Sequence, residues 1–189
     1  VLAALFALTA ILPLVLVLAY IVIKGGSLIT WDLLTQEPQP PGDDLASAGG
    51  IGNAIVGTFI ITGIASLIAI PLGVGGGVYL AEYSKGGNFS RFIRFGTNVL
   101  SGVPSIIAGV FIYAVIVVTK ILFGSMFSGL AGGLSLSILM LPTVIKTTDE
   151  ALKLVPDDLR QGSLGVGASM FTTILQITLP SAFRSIATG

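Results

Sequence analysis

Residues 1–23 read VLAALFALTAILPLVLVLAYIVI, and none of them is charged. A helix rises about 1.5 Å per residue, so this run covers the ~30 Å hydrocarbon core of a bilayer. Only Thr9 and Pro13 interrupt it. It has neither a charged leader nor a small-residue cleavage site, so it reads as a membrane span and not as a signal peptide. The same property recurs along the chain. Leu45 to Ala81 is uncharged and holds a second span over about 53–81. A third span is expected over about 96–121 and a fourth over about 128–146. The expected fold is therefore an all-α integral membrane protein.

Composition agrees. Hydrophobic residues make up 53% of the chain and charged residues 10%, with a mean hydropathy of +1.00. A soluble domain carries about 25% charged residues. Nine basic and nine acidic side chains balance to zero, which argues against a nucleic-acid partner. There is no Cys and no His, so disulfides, thiol nucleophiles, imidazole bases and Cys/His metal sites are excluded. No GxxxxGK[ST] motif is present, so ATP hydrolysis is not expected of this chain. No carboxylate pair or nucleophile–base set lies inside a span, which disfavours a membrane enzyme. No cofactor is expected.

The loops set an orientation. Residues 25–52 contain Asp32, Glu37, Asp43 and Asp44 but no basic residue, whereas 84–94 contain Lys85, Arg91 and Arg94. Basic loops stay in the cytoplasm. Residues 25–52 and the turn near 124–127 are thus expected outside, and 84–98 and 146–168 inside. Each span holds one proline (Pro13, Pro71, Pro104 and Pro142), tolerated in membranes and able to kink a pathway. Gly73 and Gly77 form a GxxxG, and Ala108-Gly109 and Gly132-Gly133 follow in later spans, which reads as close helix packing. Phe89 to Phe95 alternates aromatic and basic residues, which suits a short interfacial helix.

Gln161 to Phe183 is also uncharged, yet it is full of hydroxyls and amides and is not expected to span. Met170, Phe171, Ile174, Leu175 and Ile177 form one apolar stripe, with Thr172, Thr173 and Gln176 opposite. Thr147 and Glu150 read as a capping box, and Pro156 before Asp157 and Asp158 as a second helix start. Short cytoplasmic helices over about 148–180, joined at Gly162, Gly165 and Gly167, suit a docking element.

These residues resemble the EAA loop of ABC importer permeases, EAA-x3-G-x9-I-x-LP. Gly167 is followed by nine residues and then Ile177, Thr178, Leu179 and Pro180, while Gln161-Gly162-Ser163 stands where the EAA triplet is usual. The wider chain is similar to phosphate permeases of the PstA type, through GGIGNAIVGT (49–58), PLGVGGGVYLAEY (71–83), NVLSGVPSIIAGVF (98–111) and LMLPTVIKTTDEALKLVP (139–156).

The resemblance implies a MetI-like, type I ABC transmembrane domain over 53–189, preceded by a first helix (1–24) and a periplasmic loop (25–52). About four of six spans would be present. It further implies a multi-pass protein of a bacterial or archaeal inner membrane. Its partners would be a homologous permease subunit, two ATPase subunits, a periplasmic phosphate-binding protein and inorganic phosphate. Glu150, Pro156, Arg160, Gln161, Gly162, Ser163, Gly167, Ile177, Leu179 and Pro180 would form the ATPase-coupling loop.

A charge inside a membrane is costly and usually functional. Lys146 ends the fourth span, where the family carries a basic residue implicated in transport, so it is the candidate for the substrate path; the bland alternative is a snorkelling lysine. Ser101 and Ser105 offer hydroxyls beside Pro104, with helix packing as their alternative. Three other readings stay open: a permease for another solute, the sister phosphate permease, or a membrane scaffold for phosphate signalling.

Overall fold

A computed structural model of the chain describes residues 2–40, 49–84, 86–120 and 128–188. Asp43, Asp44, Lys85 and the expected turn near 124–127 lie outside the described residues. The fold is helical: among the described residues the only β-type pairing is an isolated bridge between Pro38 and Gly49. Two compact units divide the chain, residues 1–58 and 59–189.

The first unit holds α1 (Leu2–Gly25), a 3-10 turn (Gly26–Leu28), the short α2 (Trp31–Thr35) and the start of α3 (Gly52–Val78). Aliphatic side chains on every side of α1 are exposed, including Leu8, Ile11, Leu12, Leu14, Val15 and Leu18. A helix apolar all round has lipid as its solvent. The 25–52 loop contains α2, capped by Thr30, whose hydroxyl accepts from Leu33 N at 3.3 Å.

In the second unit α3 runs on through a π-helical turn (Tyr79–Tyr83). There follow α4 (Asn88–Ser101), α5 (Ser105–Ile112) with a π extension (Tyr113–Val118), and α6 (Gly129–Lys153). The chain then forms α7 (Asp157–Gly165), α8 (Met170–Thr173) with a π turn (Ile174–Thr178), and α9 (Leu179–Thr188). The helix α6 is central and packs against α4, α5, α9 and the π turn of α3.

Glycines set how closely α3 and α6 approach. A Cβ on Gly73 would lie 2.6 Å from Val144 Cγ1, one on Gly133 would lie 2.5 Å from Ile64 Cγ2, and one on Gly77 would collide with Thr148. The expected small-residue packing is therefore real, and it is what lets two long helices touch backbone to backbone. At the lower end Ala151, Leu152, Val155 and Ala182 form a core with Val78, Ala81, Leu179 and Ile186.

Three expectations are revised. The span expected over 96–121 is not one helix, because α4 and α5 meet at a 102° bend. Gly102 ends α4 and Pro104 begins α5. Proline disfavours helical geometry at Val103 and has no N–H to continue the ladder, and Gly102 offers no helix propensity to resist it. The segment Ser105–Val118 covers about 21 Å at 1.5 Å per residue, short of a ~30 Å core.

Second, α6 does not stop at Lys146. It continues to Lys153, so Thr147 and Glu150 lie mid-helix and form no capping box. Third, the inward stripe after Ser169 differs from the apolar one expected. Thr173, Ile174 and Thr178 are buried while Phe171 and Leu175 are exposed. Hydroxyls can face inward here because they bond locally: Thr173 Oγ1 donates to Ser169 O at 3.0 Å and Thr178 Oγ1 to Thr173 O at 3.4 Å. The helix start at Pro156 is as expected.

Candidate functional site

Lys146 lies near the end of α6, where the helix outruns the apolar core and turns polar. It lines a recess of about 340 Å³ with Arg94, Thr97 and Asn98 of α4 and Asp149, Glu150 and Lys153 of α6. The α4–α6 contact creates this recess, because residues of α6 spaced three and four apart present one face to α4. Arg94 Nη1 sits 2.8 Å and Lys153 Nζ 2.6 Å from Asp149 Oδ2. Asp149 is itself buried, with 7% of its side chain exposed. Its charge is thus taken by two cations, and among the described residues no carboxylate pairs with Lys146. Three cations face two carboxylates across the recess, which leaves an excess positive charge.

Ser101 and Ser105 do not join Lys146. Ser101 Oγ donates to Thr97 O at 2.8 Å within α4, and Ser105 is exposed in the first turn of α5 beyond the bend. Neither lines the recess. Asn98, which lines it, was not singled out in the sequence. Among the described residues no cluster of metal-ligating side chains gathers.

The residues expected in a coupling loop fold into a compact helix–turn–helix. Pro156 precedes α7, and Asp157 and Asp158 sit in its first turn, where the helix dipole favours negative charge. Gly167 has φ +90°. Its N–H donates to Leu164 O at 3.0 Å and Ala168 N–H to Ser163 O at 3.2 Å. This pair of bonds is the Schellman ending of a helix, which needs a left-handed residue and so a glycine. Ser169 then caps α8, accepting from Thr172 N at 3.2 Å. Ser163 is buried and bonds Thr173 across the turn at 2.9 Å. Gln161, Gly162 and Pro180 are exposed, Ile177 and Leu179 half-buried, and Glu150 is exposed beside the recess. Around the turn Leu154, Val166 and Phe171 lie open.

Arg160 faces inward. Its Nη2 lies 2.8 Å from Glu82 Oε1, in the π turn of α3, and its Nε lies 3.2 Å from both Glu82 oxygens. Its Nη1 donates to Val155 O and its Nη2 to Leu152 O, each at 2.7 Å, at the end of α6. Nη1 also bonds Asp157 at 2.9 Å. The hydrogen bond to Glu82 is the main reason the guanidinium is held above its ordinary pKa, with the Glu82 and Asp157 charges adding and burial opposing. The partner of Glu82 lies 78 positions away along the chain.

The long apolar helices are those of a membrane protein, and the comparisons give its class. Residues 73–189 match the family described as "Binding-protein-dependent transport system inner membrane component", and the chain belongs to that family. It is 39% identical over 173 residues to the phosphate transport system permease protein PstA of Haemophilus influenzae, covering 92% of this chain and 58% of that one. It is 37% identical over 171 residues to the probable ABC transporter permease protein YqgI of Bacillus subtilis, covering 90% and 56%. Against the phosphate transport system permease protein PstA 1 of Mycobacterium tuberculosis it is 36% identical over 184 residues, covering 95% and 58%. The chain thus spans a little over half the length of these relatives. In fold it is similar to an inward-facing MetNI methionine ABC transporter, with a TM-score of 0.58 at 21% identity, over 74% of this chain and 63% of that one.

Proposed function

We propose that this chain is the membrane permease subunit of an ATP-driven phosphate importer, forming part of the phosphate path and docking the ATPase. The observation that carries this reading is Lys146, a cation without a carboxylate partner among the described residues, in a polar recess near the end of a membrane helix. The relatives named for phosphate transport supply the solute. ATP would be hydrolysed on the partner ATPase. Closure of that partner would push the exposed turn around α7, and α6 and α9 would follow. A binding protein would deliver phosphate from outside, and a second, homologous permease would complete the path.

Phosphate carries between one and two negative charges at neutral pH and must shed water to cross. A cation in a medium that screens poorly offsets part of that cost, provided it holds the ion weakly enough to release it. Lys146 provides a point charge and three rotatable donors, unlike the flat fork of an arginine. The orientation that places the recess and α7 on the cytoplasmic side follows from the basic residues of 84–94.

The test is uptake of labelled phosphate by vesicles containing the full-length protein with its partners. Uptake that requires ATP and is competed by unlabelled phosphate supports the reading. Uptake of a different solute, with phosphate ignored, would overturn it.

A further inference from the structure

We infer that Glu82 and Arg160 form a positioning strut that makes the end of α3, the end of α6 and the docking helix α7 move as one body. This deepens the importer reading and rests on it for what pushes α7. Arg160 is a four-way junction: Glu82 on α3, the carbonyls of Leu152 and Val155 at the end of α6, and Asp157 at the start of its own helix. Leu152 O belongs to the last turn of α6, where backbone acceptors have few helical partners and a cation suits the dipole, and Val155 O lies in the link that follows.

The side chains are withdrawn from solvent, Glu82 with 3% and Arg160 with 17% exposed. A buried ion pair adds little net stability, because desolvation offsets the attraction, but it dictates geometry, and a forked guanidinium does so in two directions. The partner of Arg160 sits in a π-helical turn, a local irregularity frequent at functional positions. Without the strut, α7 would be tied to α6 by the short link 154–156 and to α8 by the Gly167 turn. A push on α7 would then bend those joints before it moved α3. Arg160 therefore acts inward, and the partner-facing surface of α7 is left to exposed neighbours such as Gln161 and Leu164.

Residues 1–189 contain no cysteine, and any cysteine elsewhere in the full-length protein is replaced before labelling. Spin labels go on cysteines at exposed Leu72 of α3 and exposed Asp158 of α7, in full-length protein assembled with its ATPase. With native Glu82, adding ATP and vanadate leaves the distance between labels unchanged. With Glu82→Gln the distribution is broader before nucleotide is added and shifts by about 2 Å or more after it. Phosphate moved per ATP hydrolysed falls about tenfold, while hydrolysis itself continues.

The double variant Glu82→Gln with Arg160→Gln, which leaves no unpaired buried charge, melts close to native and is equally uncoupled. Equal nucleotide-driven motion in native and Glu82→Gln protein would overturn the strut. So would full coupling in a properly melting double variant. The distance measurement needs no solute, so failure of native protein to move phosphate would count against the solute reading and leave the strut to be decided by the labels.

Discussion

Two groups of buried charge lie near the end of α6, and they are built in opposite ways. In the Glu82–Arg160 group each charge is consumed by a partner, the guanidinium has further acceptors, and water is nearly excluded. In the recess, Asp149 is consumed by Arg94 and Lys153, the cations stay about half exposed, and Lys146 is left over. The first arrangement holds helices in place. The second leaves one cation in excess, which the proposed function reads as an attraction for an anion. On the reading proposed above, the closed set of charges is a joint and the open one a binding surface, although both sit within a few turns of each other.

Mutations that unbalance each group should separate them. The largest loss of stability is expected for Glu82→Leu, which strands Arg160 among buried atoms; breaking such a pair costs about 3–5 kcal/mol, read as a large fall in melting temperature of the detergent-solubilised protein. Next is Gly77→Val. It contains no charge, yet it drives a branched side chain into Thr148 and should cost about 1–3 kcal/mol in the same assay by overpacking the α3–α6 contact. Asp149→Asn should cost less, on the order of 1 kcal/mol, because Arg94 and Lys153 can turn to solvent. A cost for Asp149→Asn equal to that for Glu82→Leu would erase the distinction between the two groups.

The smallest stability effects fall in α7 and the turn beyond it, and they differ in sign. Gly167→Ala must place a side chain at φ +90° and should lose about 1 kcal/mol. Gly162→Ala, inside α7 with nothing within 4 Å of the new methyl, should gain about 0.5–1 kcal/mol. Melting curves of the two variants, measured side by side, check both.

The extent to which the sequence foretold this structure follows the range of the interactions. Absence of charge over 1–23 and 45–81 was enough to place α1 and α3, because lipid burial depends on composition alone. GxxxG spacing was enough to place the α3 face that meets α6. Of the three glycines read as joints, Gly167 is the turn beyond α7, whereas Gly162 and Gly165 lie within that helix, because helical geometry tolerates a glycine and only Gly167 takes a left-handed φ. The break at Pro104 was not legible, since Pro13, Pro71 and Pro142 lie inside continuous helices. What differs is the Gly102 two residues earlier, where the other three prolines have Ile11, Ala69 and Met140; exposure does not decide it, since Pro13 and Pro71 are as exposed as Pro104.

The inward face of α8 was misjudged for a similar reason. Hydrophobicity alone puts Phe171 inside, whereas Thr173 can be buried once Ser163 and Ser169 satisfy its hydroxyl. Lys146 was visible as a charge at the end of an apolar run. Its company, Arg94 and Asn98 from α4, depends on how two helices cross and leaves no local trace. The same holds for Arg160, which was expected to face a partner and instead reaches Glu82.

The central claim is that Lys146 is an anion-attracting charge and not a structural one. The direct measurement is phosphate uptake by vesicles of the full-length complex carrying Lys146→Gln or Lys146→Arg, with melting temperature and ATPase assembly followed in parallel. The account predicts that Lys146→Gln lowers uptake about tenfold, a loss of roughly 1.4 kcal/mol of attraction, with melting and assembly unchanged. Lys146→Arg should keep most of the activity. Native uptake in Lys146→Gln would contradict the account and make Lys146 a lysine that merely reaches the membrane surface.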